Sequence, residues 1–310
     1  MALPIKIKLP DGFLDPEVRC GYNVSEKLKK IWAVELDLLV ELLRVCEKHN
    51  ITIQIFGGTL LGAIRHRGFI PWDDDLDVCI SRVEFKKLCQ VAPAEFKEPY
   101  FLQTALSDRR YFLSYARLRN SYTTAAVTGQ DTSDYNNGIY IDIYVLEGYP
   151  STNLGFMIQD LFLTLTVKPV TLYYQDKPRN KSIKEHALRM LRPFIRLLPY
   201  RFWLSLYYLV LRALTPVKCR IGLRHEMSLQ ARRYWMFKNE IGQSITMPFE
   251  FLSVPVPKSY ADILGRLYGD YLSFPPVEQR GVWHNGKIRF NPDMPYKELL
   301  RRENAAHLTV

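Results

Sequence analysis

Four aspartates fall within five consecutive positions of this chain, next to an apolar run. Asp73, Asp74, Asp75 and Asp77 lead directly into residues 78–80, which are Val, Cys and Ile. Ionised carboxylates that are held close together repel one another, and burial increases the repulsion unless a cation compensates. A chain that carries this segment must therefore fold so that the aspartates meet solvent, a bound metal ion or another positive group.

The spacing of these aspartates predicts which of them act together. A strand over Asp75–Ile80 places successive side chains on opposite faces, so Asp75 and Asp77 share one face and the apolar residues take the other. Two carboxylates on one face suit Mg²⁺, which commonly combines one or two carboxylates with substrate phosphates. Asp75 and Asp77 are thus predicted metal ligands, whereas Asp73 and Asp74 are more typical of turn or helix-capping positions.

A further carboxylate is placed on a later predicted strand. The segment Ile139–Val145 alternates isoleucine or valine with Tyr, Asp and Tyr, which is the period of a strand. Asp142 lies between two isoleucines there, as Asp77 lies between apolar neighbours. We expect Asp142 to be the third acid of the same cluster, as a metal ligand or as a base.

A glycine pair precedes the aspartates and has the context of a phosphate site. Gly57 and Gly58 follow a predicted strand over Ile51–Phe56 and precede a predicted helix over Thr59–His66. Glycine permits close backbone approach, and the amides of a helix N-terminus favour anions. At the other end of this helix, Arg65 is a candidate to stabilise charge on a transferred phosphate, with a structural salt bridge as the alternative.

These parts together indicate metal-assisted phosphoryl transfer. A lone Asp-x-Asp is usually a solvated turn, and a lone glycine pair is usually only a turn. Their combination with a strand that carries Asp142 favours a shared site, in which metal ions neutralise phosphate charge during in-line attack by a hydroxyl.

Three blocks of the sequence resemble the LicD family of phosphotransferases, which includes bacterial phosphocholine transferases and, more distantly, fukutin and fukutin-related protein. The blocks are Gly58–Asp77, Gly138–Tyr144 and a C-terminal set that comprises Tyr268–Tyr271, Pro275, Pro276, Arg280 and His284. The resemblance extends roughly from Ile51 to Trp283 and is interrupted by a basic stretch.

The resemblance implies an α/β fold with a nucleotidyltransferase-like core, a mixed β-sheet and helices. It implies Mg²⁺ or Mn²⁺, a CDP-alcohol donor such as CDP-choline, and a glycan or glycolipid acceptor. In this chain Asp75 and Asp77 would be metal ligands, Asp142 the third acid, and residues 57–59 (Gly57, Gly58 and Thr59) the lining of the phosphate pocket. The roles of Glu147, which stands where the family usually has Asp, and of Asp270, Arg280 and His284 are left open.

The charge distribution divides the chain into three predicted parts. These are a catalytic core over 1–150, a basic helical insert over 151–240 and a C-terminal part over 241–310 that completes the active site. Between Lys168 and Lys238 sixteen Lys and Arg residues face three acidic ones, while the whole chain carries a net charge of +10. Interleaved aromatic and basic residues there favour an anionic membrane surface. An ordinary helical subdomain is the alternative, and a nucleic-acid partner is not expected because no recognition motif accompanies the charge.

The cellular location of the protein is predicted from its apolar segments, which are too short to span a membrane, and from its cysteines. The longest uncharged apolar run, Phe202–Leu211, is half of the roughly twenty residues that a spanning helix needs. The five cysteines are odd in number and form no C-x-x-C pair, which favours reduced thiols. We expect a cytoplasmic protein, peripheral at the inner face of the membrane.

The sequence thus predicts an enzyme that moves phosphocholine from CDP-choline to a glycan or lipid-linked sugar and releases CMP. A true nucleotidyltransferase would use the same metal cluster, and it would release pyrophosphate instead. A non-catalytic scaffold at the membrane surface is the second alternative, and the three intact acids Asp75, Asp77 and Asp142 speak against it.

Overall fold

A computed structural model of the chain describes residues 3–108, 110–128, 135–150, 152–174, 187, 189–213, 220–223, 235–237, 240–281, 284 and 286–308. The helices among them are α1 (Glu26–Lys48), α2 (Gly57–His66), α3 (Arg82–Glu95), α4 (Asn153–Tyr173), α5 (Arg192–Ile195), α6 (Tyr200–Ala213), α7 (Tyr260–Tyr268) and α8 (Tyr296–Leu308). The strands are β1 (Glu17–Arg19), β2 (Tyr22–Val24), β3 (Ile53–Ile55), β4 (Asp77–Ser81), β5 (Tyr100–Gln103), β6 (Ala116–Asn120), β7 (Thr124–Val127), β8 (Ile139–Tyr149), β9 (Arg220–Leu223), β10 (Trp235–Met236), β11 (Ser244–Phe249), β12 (Leu252–Pro257) and β13 (Ile288–Asn291).

The long strand β8 organises a seven-stranded mixed sheet. It pairs in parallel with β4, antiparallel with β6 along its first half, and antiparallel with β9 along its second half. Beyond these neighbours, β3 pairs with β4, β5 with β6, and β10 with β9. The predicted α/β fold with a mixed sheet is confirmed. Because β9 extends the pairing, β8 continues four residues past its predicted end at Val145.

Helix α1 covers the sheet and closes the main core. Its period of apolar residues predicted a helix over Ser25–Asn50, and the structure has it over Glu26–Lys48. Ser25 caps it, because the Ser25 hydroxyl accepts a hydrogen bond from the Leu28 N–H at 3.2 Å. Leu36, Leu38, Leu39 and Leu42 are fully buried, and all residues from 31 to 39 are buried, so the middle of the helix lies in the interior.

A smaller second core joins α4 to α6. Leu163, Val167 and Val170 of α4 pack there with Leu204 and Tyr207 of α6. Strands β9 and β10 of the predicted basic insert belong to the main sheet. Residues 175–186, 214–219 and 224–234, which hold many of the predicted basic residues, and Cys219 lie outside the described residues. The predicted domain boundaries stay a prediction.

Candidate active site

The aspartate segment is extended, and its side chains alternate between two environments. Asp73, Asp75 and Asp77 are partly exposed, while Asp74 and Leu76 between them are buried. The strand itself begins at Asp77, two residues later than predicted, but the alternation already holds before it. Asp73 therefore lies on the same side as the predicted ligands, although its sequence position is more typical of a turn.

The N-terminus of α2 lies directly against these carboxylates. The helix begins at Gly57, so the glycine pair forms its first turn and does not precede it. A Cβ atom on Gly57 would lie 3.0 Å from Asp77 Oδ2, and one on Gly58 would lie 2.9 Å from Asp73 Oδ2. Gly57 also has a φ of +56°, which favours glycine. The two glycines thus let the helix amides approach the acidic side chains closely.

Thr59 ties the same helix to the first residue of β4. Its hydroxyl oxygen accepts a hydrogen bond from the Asp77 N–H at 2.7 Å. The Asp77 carbonyl in turn accepts one from the Phe56 N–H at 3.0 Å. One predicted phosphate-binding residue, Thr59, is therefore bonded directly to one predicted metal ligand, Asp77, whereas the roles assigned to them stay predictions.

Crowding makes the acidic side chains hard to ionise in the metal-free chain. Solvent reaches one edge of each, but protein surrounds the rest. Burial, and then repulsion by Asp75, hold the pKa values of Asp73 and Asp77 well above their usual range. Burial also raises the pKa of Asp75 to about 6, although the nearby His284 opposes the rise. A bound cation would relieve this repulsion.

Asp142 is brought to the same place by the pairing of β4 with β8. Asp77 and Asp142 lie opposite each other in this parallel pair, and the Asp142 N–H donates to the Leu76 carbonyl at 2.9 Å. The Asp142 side chain accepts a hydrogen bond from Arg117 Nε at 2.6 Å. The pairing therefore brings Asp142 beside Asp77, and the predicted role of Asp142 as the third acid stays a prediction.

Arg117 is a site residue that sequence reasoning missed. It lies opposite Asp142 on β6, and its guanidinium lies 3.6 Å from the centre of the Tyr140 ring. No clear strand pattern marks residues 116–120, so nothing in the sequence tied this arginine to the acids. Its positive charge offsets the charge of Asp142 and fixes the orientation of that side chain.

The C-terminal block meets the aspartate segment through His284. The imidazole Nδ1 of His284 lies 2.9 Å from Asp74 Oδ1, on the buried side of the segment. Burial lowers the pKa of His284, but the hydrogen bond and the charge of Asp74 outweigh it and give a net rise. The Asp74 carboxylate thus favours the protonated form of His284, and this contact anchors the C-terminal part of the chain beside the cluster.

Arg65 lies at the opposite end of α2 from the glycine pair. Its guanidinium donates to the carbonyls of Tyr271 and Ser273 at 3.2 and 3.0 Å, and it lies 5.2 Å from the centre of the Phe274 ring. These contacts hold the C-terminal segment on α2 and do not bring the guanidinium to the aspartates. The predicted role of Arg65 in phosphate stabilisation stays a prediction.

Two acids and an arginine whose roles the sequence left open have local partners. Glu147 forms a largely buried ion pair with Arg82, the first residue of α3. Asp270 accepts a hydrogen bond from the Ser273 hydroxyl at 2.5 Å. Arg280 donates to the carbonyls of Pro275 and Cys20 at 2.9 and 3.2 Å. These contacts stabilise the surrounding fold.

The acidic side chains suit a cation whose coordination shell is completed by oxygen atoms of a substrate. Oδ1 of Asp77 is buried and has no hydrogen-bond partner among the described residues. No three Asp, Glu, His or Cys side chains in that part of the chain are arranged to hold a metal ion by themselves. Mg²⁺ commonly draws further oxygen ligands from water and phosphate, so Asp75 and Asp77 would need such oxygen atoms to complete a cation site, and their role as ligands stays a prediction. Asp142 would join through its carboxylate while Arg117 keeps it in place.

The raised pKa of Asp75 predicts a pH dependence of stability in the metal-free protein. The folded pKa of about 6 exceeds the ordinary value of 3.8, so the folded state binds the proton more tightly. The melting temperature should therefore fall as pH is raised from about 4 to about 6, where only the unfolded chain ionises. Calorimetry at several pH values should show a smaller fall for Asp75→Asn. A parallel fall in both proteins would contradict the assignment.

Comparison with known proteins is consistent with this geometry. Residues 50–174 match the model of the LicD/FKTN/FKRP nucleotidyltransferase domain. Over 263 residues the chain is 27% identical to the lipopolysaccharide cholinephosphotransferase LicD of Haemophilus influenzae, covering 83% of this chain and 96% of that protein. It is also 36% identical over 107 residues to an uncharacterised protein of Rickettsia prowazekii, covering 33% of this chain and 35% of that one. The predicted resemblance is confirmed.

Proposed function

Since the chain belongs to the LicD family and is a transferase of that type, we propose that it transfers phosphocholine from CDP-choline to a hydroxyl of a glycan or lipid-linked sugar. The name of the Haemophilus relative supports both the choline phosphate and a lipopolysaccharide-type acceptor. The observation that carries the proposal is the contact between the N-terminus of α2 and the acidic side chains of Asp73 and Asp77. A phosphate of the donor can be bound there by backbone amides and by a cation at once.

In this proposal the acceptor oxygen attacks the phosphorus that bears choline, and CMP leaves with the electrons of the broken P–O bond. The proton of the acceptor hydroxyl passes to a carboxylate or to water. Asp75 and Asp77 would hold Mg²⁺ or Mn²⁺, which neutralises phosphate charge when it is bound. The amides of Gly57 and Gly58 orient the transferred phosphate, and Arg117 holds Asp142 at the edge of the acidic group.

The experiment that tests this function identifies the product that is released. Purified protein is incubated with CDP-choline, CDP-ethanolamine or CDP-glycerol, a glycolipid acceptor and Mg²⁺, and CMP is measured with and without EDTA. We expect CMP from one donor and none after chelation. Pyrophosphate release from CTP and phosphocholine would instead identify a nucleotidyltransferase, and no product under any condition would leave a non-catalytic role.

We also propose that the transferase meets its acceptor at a membrane surface. No described helix has the length and apolar character to cross a bilayer. Helix α4 nevertheless exposes a continuous stripe at helical spacing, opposite the face that packs inward. Its members are Leu154, Met157, Ile158, Leu161, Phe162 and Leu165, which are between 41% and 69% exposed. An exposed apolar stripe of this length is typical of a helix that lies in an interface.

Positive side chains accompany the exposed apolar residues. Lys168 of α4 and Arg201 and Arg212 of α6 are exposed, and Arg196 is exposed just before α6. The loop before α6 and the start of that helix also expose Leu197 and Phe202. Basic residues near anionic lipid each contribute about 1 kcal/mol to binding, so apolar insertion and charge attraction would act together.

We expect the full-length protein to co-sediment with vesicles rich in anionic lipid and much less with neutral ones. The change of Leu161 and Leu165 to Ser should release it, because the apolar contribution is lost while the charges remain. Leu106→Ser is the matched control, since Leu106 is as exposed (59%) as Leu165 (59%) but lies outside the stripe. Salt should weaken the binding, because the Debye length shrinks to about 3 Å at 1 M. Equal sedimentation of the stripe variant and the wild type would rule out this surface.

A further inference from the structure

Glu35 is a carboxylate in the interior of the protein, in the middle of α1, where all residues from 31 to 39 are buried. It is 1% exposed, and its helical neighbours Ile31, Leu38 and Leu39 are apolar and buried. In the sequence it is the one residue that breaks the apolar period of the helix. Burial of an ionisable side chain among apolar residues is unfavourable unless partners compensate, so its position calls for a partner.

Among the described residues, one oxygen of the Glu35 carboxylate lacks the partner that such a position requires. Its buried Oε2 has no hydrogen-bond partner among the described residues. Asp37, two residues later on the same helix, is equally buried but fully engaged. The Asp37 carboxylate accepts hydrogen bonds from the N–H groups of Lys6 and Ile7 at 2.7 and 3.0 Å, and from the Tyr100 hydroxyl at 2.8 Å. Asp37 thus has a structural role that Glu35 lacks.

The face of α1 that carries Glu35 lies against the aspartate segment. Trp32, one turn before Glu35, donates its indole N–H to the Asp73 carbonyl at 2.9 Å. After burial, the charges that act most strongly on Glu35 are those of Asp75 and Asp74, followed by Asp73 and Asp77. Because Glu35 follows Trp32 by one helical turn, α1 brings its carboxylate toward the aspartate segment.

We propose that Glu35 is a further acidic side chain of the cation site, supplied by α1 from outside the Asp-x-Asp segment. Asp75 and Asp77 enter from the segment at the start of β4, Asp142 enters from β8, and Glu35 enters from the covering helix. The buried Oε2 of Glu35, which has no hydrogen-bond partner among the described residues, would be attracted to a cation bound at this segment. The inference rests on the proposed cation site, and it does not depend on which group is transferred.

The test is a Mn²⁺ titration of the purified full-length protein, with free Mn²⁺ followed by electron paramagnetic resonance. Glu35→Gln is expected to weaken Mn²⁺ binding at least tenfold and to raise the melting temperature of the metal-free protein. Asp37→Asn is the matched control on the same helix. It should lower the melting temperature, because its donors lose a charged acceptor, and it should leave Mn²⁺ affinity unchanged.

The Asp75→Asn variant separates this inference from the proposed function. If Asp75→Asn loses Mn²⁺ binding while Glu35→Gln binds Mn²⁺ as the wild type does, the cation site stands and the role of Glu35 is overturned. If the wild type binds no Mn²⁺, or Asp75→Asn binds it unchanged, the proposed cation site fails and Glu35 has no cation to serve. Glu35→Met, which fills the same space without charge, should show the same loss of affinity as Glu35→Gln.

Discussion

Asp77→Asn is expected to lower kcat at least about a thousandfold, a loss of about 4 kcal/mol of transition-state stabilisation. Asp77 lies where β4, β8 and the N-terminus of α2 meet, and its buried Oδ1 has no hydrogen-bond partner among the described residues. Asparagine keeps the shape of the side chain but removes the charge that would hold a cation. Because burial and Asp75 already oppose ionisation of Asp77, the metal-free variant should melt at the same temperature as the wild type or higher.

The measurement combines steady-state CMP release with calorimetry in EDTA. Asp262→Asn provides the control, since Asp262 is an exposed acid in the first turn of α7 and far from the site in sequence. It should change neither quantity. Turnover of Asp77→Asn within about tenfold of the wild type, which corresponds to about 1.4 kcal/mol, would remove Asp77 from the ligands.

The second large effect is expected at two adjacent residues of β8, where substitution of one should chiefly lower stability and substitution of the other should chiefly lower activity. Ile141 is fully buried, whereas Asp142 is 5% exposed and bonded to Arg117. Ile141→Ala should cost about 2–5 kcal/mol of stability through the cavity it leaves. Asp142→Asn should instead abolish turnover and cost less stability than Asp142→Ala, because the amide oxygen can still accept from Arg117 although the negative charge that compensates the guanidinium is lost.

Asp142→Ala is a less clean test than Asp142→Asn. It would leave the buried Arg117 without its carboxylate, and removal of one partner from a buried ion pair typically costs about 3–5 kcal/mol. Chemical denaturation and initial rates should be measured on the same preparations. Full activity of Asp142→Asn, or an unchanged denaturation curve of Ile141→Ala, would contradict the assignment of these faces.

Much of the site could be predicted because it depends on local periods. A period of two residues in 75–80 predicted that Asp75 and Asp77 share one face of the segment. The same period in 139–145 predicted that Asp142 lies between inward-facing isoleucines, as it does in the structure. The helical period gave α1 to within two residues at either end. These patterns follow from neighbours along the chain, so the sequence contains them in full.

Other site features depend on pairings between distant segments, and no local pattern contains them. Arg117 acquires its role only because β6 pairs with β8, and His284 only because the C-terminal segment packs behind Asp74. Asp73 resembles a turn residue in the sequence, and only the structure shows that α2 begins against its side chain. The contact of Arg117 with Asp142 spans 25 residues of the chain, and that of His284 with Asp74 spans 210.

Glu35 marks the boundary between what the sequence determined and what the tertiary structure decided. The sequence by itself determined that an acid interrupts the apolar face of α1, since the helical period identifies that face from adjacent turns. Only the packing of α1 on the aspartate segment, through the bond from Trp32 to the Asp73 carbonyl, decided which charges that acid meets. The physical reason is that a local period specifies which way a side chain points on its own element, whereas the groups it points at come from elements elsewhere in the chain.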